Sequence, residues 1–240
     1  MNVARRVLEL PAPGGTGPVE VTVLTAGELL GPGPPAWLPL VADDRERIGR
    51  LRRVGDVRRF LTGRALVARY AREELGGAVD GVRFVRRTTA AGEAKPRFEG
   101  WPGETVPDVS ISHSGRHVVA AFCRTADVGV DVEELTAFGG PDDPAAEVFL
   151  TPAERDRATG RDQVAETFTG KEAVLKAVGW GFAVDPQRLE LAGCAVRRFD
   201  APQARPVHLA RLAVPAGLAG AVAVAARVPA FPRAGWAPRV

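Results

Sequence analysis

Two short segments constrain this chain more than anything else in it. They are Val128-Gly129-Val130-Asp131-Val132-Glu133 and Phe168-Thr169-Gly170-Lys171-Glu172-Ala173-Val174-Leu175-Lys176-Ala177-Val178-Gly179. In the first, side chains that alternate with period 2 put Val128, Val130 and Val132 on one strand face. Gly129, Asp131 and Glu133 fall on the other. Two acids on one face, beside a residue with no side chain, suit the floor of a divalent-metal site. In the second segment Val164, Phe168, Leu175 and Gly179 recur as the inward stripe of a helix, and Glu172 lies within it. A carboxylate on an apolar stripe is costly unless it meets a cation. Lys176, one turn on, shares its face. Three acids and a lysine suit Mg²⁺ holding a polyphosphate.

The scarcity of lysine sharpens this reading. Of 32 basic residues only Lys95, Lys171 and Lys176 are lysines, and two of the three lie in one helix. Where arginine fills nearly every other basic position, a retained lysine argues for a compact ammonium rather than a wide planar fork. The competing reading is chance on an exposed helix face.

A length of 240 residues allows one large domain or two smaller ones, each able to bury a core. Hydrophobic content of 45% with 25% charge is that of an ordinary soluble protein. The start, MNVARRVLELPAPGG, has no long apolar stretch, so no signal peptide is expected. The longest apolar run, Leu218 to Ala226, is too short to span a bilayer and reads as a buried strand. Cys123 and Cys194 are far apart and outside any metal-ligand spacing, so a reduced cytoplasmic location is expected. Net charge is only +3, but residues 45–72 hold ten arginines against Glu46 and Asp56. Such a patch attracts phosphate, on nucleic acid or on a nucleotide cofactor. Few aromatics interleave with it, which weakens a single-strand-binding reading.

Along the chain the pattern predicts a strand over Val19–Leu24 and helix from Asp43 to about Leu75, divided in two with the second part starting near Asp56. Strands are expected at Val82–Val85 and Val109–Ser112, separated by a polar loop over 90–108. His117–Cys123 and Val128–Glu134 read as a hairpin around Arg124-Thr125-Ala126-Asp127. A helix follows over Ala145–Leu150, then a capping box at Thr151-Pro152-Ala153-Glu154. The acid-bearing helix spans about 162–178, and strands are expected at 188–191, 195–199, 207–214 and 218–228.

With these residues in view, the chain resembles the 4′-phosphopantetheinyl transferases. Val128–Glu133, and Phe168–Ala173 with Lys176, are similar to that family's two signature motifs. Ser112-His113-Ser114-Gly115 resembles the serine-histidine-serine motif of its Sfp-type branch. Lys95-Pro96 resembles that branch's Gly-Lys-Pro loop, with Ala94 at the glycine, and Asp56–Arg64 resembles its N-terminal helix. Order and spacing agree from about residue 43 to 195, and Phe168 stands where the second motif usually has tryptophan.

The resemblance implies an α+β fold of two similar α/β subdomains, a pseudo-dimer with coenzyme A in the cleft between them. The expected division is 1–124, 125–230 and a tail at 231–240. It implies transfer of phosphopantetheine from coenzyme A to a serine of an apo acyl or peptidyl carrier protein, with release of adenosine 3′,5′-bisphosphate. The implied ligands for Mg²⁺, or Mn²⁺, are Asp131, Glu133 and Glu172, oxygen donors of the kind these ions take. Glu172, directly or through a water, and Lys176 are the expected catalytic groups. Cofactor contacts are expected from Arg45, Arg47, Arg64, Lys95, Ser112, His113, Lys171 and Lys176, with His113 at the 3′-phosphate. The role of Lys171 stays open, because it lies about 100° round the helix from Glu172. Phe138, Val148, Phe149 and Leu150 lie where the family docks its carriers, and a buried helix there is equally consistent. A monomer is expected, without membrane or nucleic-acid partners.

Three rivals stand beside this, one of them a degenerate carrier-binding homologue, against which the intact acids and lysines argue. Another Mg²⁺-dependent phosphoryl transferase lacks the support of a Gly-x-x-x-x-Gly-Lys-Ser/Thr loop. A basic nucleic-acid-binding module accounts for residues 45–72 but leaves Asp131, Glu133 and Glu172 without a role.

Overall fold

Alternating valines divide the protein into layers. A computed structural model describes residues 2–13, 18–86, 88–89, 92–93, 95–179, 184–202 and 204–227, the side chains of 88, 89, 92 and 93 excepted. Strands β1 (Val3–Pro11), β2 (Pro18–Ala26), β7 (Asp108–Ser114) and β8 (His117–Cys123) form an antiparallel sheet in the order β1-β2-β8-β7. A second antiparallel sheet has the order β12 (Val207–Arg211), β13 (Leu218–Ala225), β9 (Asp127–Glu134). Val21, Val23, Val119 and Ala121 of the first sheet share one core with Val128, Val130, Val132, Val222 and Val224 of the second. The inner faces therefore pack on each other, and two helices cover the outer faces.

Helix α1 (Ala42–Arg50) is followed by α2 (Val54–Glu74), which lays Leu66, Val67, Tyr70 and Ala71 on Val109, Val118, Ala120 and Phe122. Short pairs flank it: β3 (Arg83–Val85) with β6 (Arg97–Glu99), and β4 (Thr88–Thr89) with β5 (Gly92–Glu93). Beyond α3 (Pro152–Arg157), helix α4 (Arg161–Ala177) covers the second sheet. The strand face under α4 is built from Ala221, Ala223 and Ala225. Small residues there let the helix axis come close. A hairpin of β10 (Leu189–Ala192) and β11 (Ala195–Phe199) completes this side.

Several expectations need correction. Strand β1 lies where the pattern predicts no strand, and it pairs with β2. The helix expected over 145–150 is instead a 3₁₀ turn, Pro144–Val148. The polar loop over 90–108 contains β6. Most consequentially, β8 and β9 are not a hairpin. Both edges of β8 are already taken by β2 and β7, so β9 leaves for the second sheet. The expected tail at 231–240, and Ala94, lie outside the described residues. Among the described residues no helix is long and apolar enough to cross a membrane.

Candidate active site

The two sheets meet along β7 and β9, which run side by side without a backbone ladder between them. Side chains take its place. Asp108 Oδ2 accepts from Val128 N at 2.6 Å, and Ser110 Oγ from Val130 N at 3.1 Å. Ser112 Oγ accepts from Val132 N at 3.4 Å, and Ser114 Oγ from Glu134 N at 2.9 Å. The register is constant, so alternate residues of Asp108-Val109-Ser110-Ile111-Ser112-His113-Ser114 satisfy alternate amides of β9, which would otherwise be buried donors without partners. The last two serines also use their own protons. Ser112 Oγ donates to Asp131 Oδ1 and Ser114 Oγ to Glu133 Oε2, each at 2.7 Å.

Helix α4 crosses directly over this strand. Gly129 makes the approach possible, since a Cβ there would sit 1.9 Å from the carbonyl oxygen of Ala173 and 2.4 Å from the nitrogen of Ala177. Val128, Val130 and Val132 face the shared core, leaving Gly129, Asp131 and Glu133 on the helix side, as alternation requires. The result is a cleft of about 190 Å³ lined by Ile111, Ser112, His113, Asp131, Glu133, Phe168, Glu172 and Lys176. Lys176 Nζ lies 2.6 Å from Asp131 Oδ1 and donates to Val130 O at 3.3 Å. Phe168 forms one wall, its ring tilted against Phe138 and edge-on to Phe149 in an aromatic cluster.

Glu172 and Glu133 are held in an environment that disfavours their charge. Glu172 is 2% exposed, and its pKa is pushed up to about 7. Burial is the main cause; Asp131 and Glu133 add to it and Lys176 opposes it. Glu133 is shifted upward too, again mainly by burial, against the hydrogen bond from Ser114. Asp131 Oδ2 and Glu172 Oε2 are buried with no hydrogen-bond partner among the described residues. Among the described residues, no three acidic, histidine or cysteine side chains stand close enough to form a finished metal cage. The donor chemistry nevertheless fits a hard divalent cation: three carboxylates, two of them with a bare buried oxygen, would gain both a partner and charge relief.

His113 lies on the α2 side of the cleft mouth. Partial desolvation by the cleft wall depresses its pKa, and the charges of Arg59 and Lys176 depress it further. Arg59 Nη1 donates to Gly115 O at 3.1 Å, at the turn after Ser114. Arg59, in the basic stretch, thus reaches the cleft mouth, and the sequence reading did not single it out. Ser114 was likewise named only as part of a motif. The signal for it is the alternation of hydroxyls along β7, visible once β9 is known to lie alongside.

Other expected site residues are placed elsewhere. Lys171 is 1% exposed and faces away from Glu172. Its Nζ lies 2.5 Å from Glu154 Oε2 and donates to Phe149 O at 2.7 Å and Pro186 O at 3.0 Å. Arg64 is buried between the rings of Phe60 and Phe84, and its Nε donates to Asp44 Oδ1 at 2.7 Å. Lys95 Nζ pairs with Asp108 and donates to Val128 O at 2.6 Å, at the end of β7 opposite Ser114. Arg47 lies over the ring of Phe60, and Arg45 is exposed on α1. The structure therefore gathers Asp131, Glu133, Glu172, Lys176, Ser112 and His113 into one cleft. It does not bring the side chains of Lys171, Arg64 or Lys95 there. Leu150, expected near a docking surface, is a core residue, whereas Val148 beside it is 71% exposed.

Comparison with known proteins points the same way. The sequence model of the 4′-phosphopantetheinyl transferase superfamily matches residues 127–217, the span that contains both acid-bearing elements. The chain is 28% identical over 179 residues to a rat (Rattus norvegicus) protein named L-aminoadipate-semialdehyde dehydrogenase-phosphopantetheinyl transferase, the match covering 66% of this chain and 56% of that one. The mouse (Mus musculus) protein of the same name is 28% identical over 181 residues, covering 64% and 56%. The chain thus spans little more than half the length of these curated relatives.

Proposed function

From the premise that this chain is similar to the 4′-phosphopantetheinyl transferase superfamily, we propose that it moves phosphopantetheine from coenzyme A to a serine of an apo acyl or peptidyl carrier protein. The carrier serine oxygen attacks the β-phosphorus of coenzyme A. The bond to the adenosine 3′,5′-bisphosphate leaving group breaks, and the serine proton passes to a base. The observation that carries this reading is the meeting of Asp131, Glu133, Glu172 and Lys176, from two distant segments, in one cleft beside His113.

Asp131, Glu133 and Glu172 would hold Mg²⁺, or Mn²⁺, and such an ion neutralises charge on the pyrophosphate. Lys176 adds a point charge at the same place, with its ammonium already fixed by Asp131 and Val130. Glu172, with a pKa near 7 and a bare Oε2, is suited to take the serine proton, directly or through a water. His113, backed by Arg59, is assigned to the 3′-phosphate. The exposed Val148, next to the Phe138–Phe149–Phe168 cluster, is assigned to the carrier. In this reading the two sheet-and-helix halves correspond to the subdomains of a pseudo-dimeric, Sfp-type monomer working in the cytoplasm.

The test is mass spectrometry of a panel of apo acyl and peptidyl carriers incubated with the protein, coenzyme A and Mg²⁺. A gain of one phosphopantetheine on a carrier, lost with a chelator and lost in Asp131→Ala, is expected. No gain on any carrier, with coenzyme A intact, would exclude the assignment.

A further inference from the structure

The hydroxyls of Ser112 and Ser114 sit between two obligations. A serine oxygen accepts up to two hydrogen bonds and donates only one. In each case an amide of β9, Val132 N or Glu134 N, occupies the acceptor side. The single proton is then sent to the acid one residue earlier: Asp131 Oδ1 from Ser112, Glu133 Oε2 from Ser114. The other oxygen of Asp131, Oδ2, is left buried and bare. Since Lys176 Nζ also takes Asp131 Oδ1, both of its partners lie on the same oxygen.

We propose that Ser112 and Ser114 are positioning residues, which lock the two strand carboxylates in the rotamers that present their remaining oxygens to a divalent cation. The cleft is thereby assembled by the seam itself. The contact that fastens β9 to β7 also aims the acids, so the site exists only when the two sheets are docked in register. This rests on the metal reading above and extends it from the acids to the two serines that hold them.

The fold supplies its own control. Ser110 Oγ accepts from Val130 N in the same ladder, and among the described residues it donates to no acid. Ser110→Ala therefore removes one rung of the seam without freeing a carboxylate. Ser112→Ala and Ser114→Ala remove a rung and free one as well. The probe is Mn²⁺ alone, titrated into the protein without coenzyme A or carrier and followed by its electron paramagnetic resonance, with thermal unfolding of the same samples.

All three alanine variants should lose Tm to a similar degree. Only Ser112→Ala and Ser114→Ala should bind Mn²⁺ more weakly, by about tenfold or more, the usual effect of losing a group that orients a ligand. Ser114→Thr, which keeps the hydroxyl at a half-buried position, should restore most of the affinity. Wild-type affinity in both Ser112→Ala and Ser114→Ala, or an equal loss in Ser110→Ala, overturns the positioning role and leaves the metal reading standing. Failure of the wild type to bind Mn²⁺ overturns both.

Discussion

Gly129 lies against the backbone of Ala173, so close that strand β9 and helix α4 touch with no side chain between them. This contact, as much as any acid, makes the cleft. It sets the height of Glu172 and Lys176 above the strand that carries Asp131. The same glycine is the one that, in the sequence, sits between two valines and precedes the first acid.

Gly129→Ala should therefore destabilise the fold by about 3 kcal/mol, at the upper end for overpacking, because the nearest atoms that meet the new methyl all belong to backbone and cannot rotate away. Gly140→Ala is the contrast, since nothing lies within 4 Å of a Cβ there. Urea unfolding of the two variants should show a large drop in midpoint for the first and almost none for the second. Equal midpoints would mean that α4 has room to lift.

Lys171 gives a second prediction. Its ammonium and Glu154 are each 1% exposed in side chain, and Glu154 also closes the capping box at Thr151 and accepts from Leu191 N at 2.7 Å. Removing one partner of a buried pair leaves the other charge uncompensated, at a cost of about 3–5 kcal/mol. Lys171→Met should thus lose stability heavily. At a temperature where it stays folded, its KM for coenzyme A should match wild type. A raised KM with unchanged Tm would return Lys171 to the cofactor.

These two residues show what the sequence made legible and what it did not. The faces of β9, the helix bearing Glu172 and Lys176, and the capping box at Thr151 follow from periodicity and local chemistry, and all three are found. The partner of Lys171 was hidden because Glu154 already had a local role in that box. The false hairpin of β8 with β9 has a similar origin. A short connection between two apolar strands is a local signal, whereas the occupation of both edges of β8 by β2 and β7 is a long-range fact. Strand β1 went unseen because Arg5, Arg6 and Val7 lie exposed on a sheet edge, where alternation weakens. The serine ladder reads in sequence as a merely polar face. Its meaning depends on the strand beside it.

The burial of Glu172 predicts a gain of stability from a loss of function. The folded state raises the pKa of Glu172 from 4.5 to about 7. Between those values the unfolded chain has released a proton that the folded chain keeps, so stability falls as pH rises through the window and the penalty is complete above it. The shift corresponds to about 3 kcal/mol. In chelator, Glu172→Gln should therefore raise Tm over wild type at pH 8, with the advantage shrinking toward pH 4.5. Adding Mg²⁺ should narrow the gap at pH 8 by stabilising wild type more than the variant. A variant less stable than wild type at pH 8 in chelator would show that the carboxylate is not under strain.

The last prediction separates the grip on coenzyme A from the chemistry. His113 stands at the cleft mouth on the α2 side, near Arg59, while Glu172 and Asp131 lie on the α4 side. If it holds the 3′-phosphate, it binds a part of the cofactor that does not change in the reaction, so its loss removes binding common to ground and transition states. His113→Ala should raise KM for coenzyme A with little change in kcat. Dephospho-coenzyme A, which lacks that phosphate, should be a poorer substrate for wild type. The variant should discriminate less between the two, because the group that reads the phosphate is gone. A hydrogen bond to a charged group contributes roughly 1.5–3 kcal/mol, or about ten- to a hundredfold in kcat/KM. The depressed pKa of His113 is that of the free cleft, and a phosphate beside the ring would raise it, so the discrimination should be larger at pH 6 than at pH 8. The measurement is kcat/KM for both cofactors with both proteins at both pH values. Undiminished discrimination by His113→Ala would assign the 3′-phosphate to Arg59 and its neighbours on α2, and leave the histidine a part of the cleft wall.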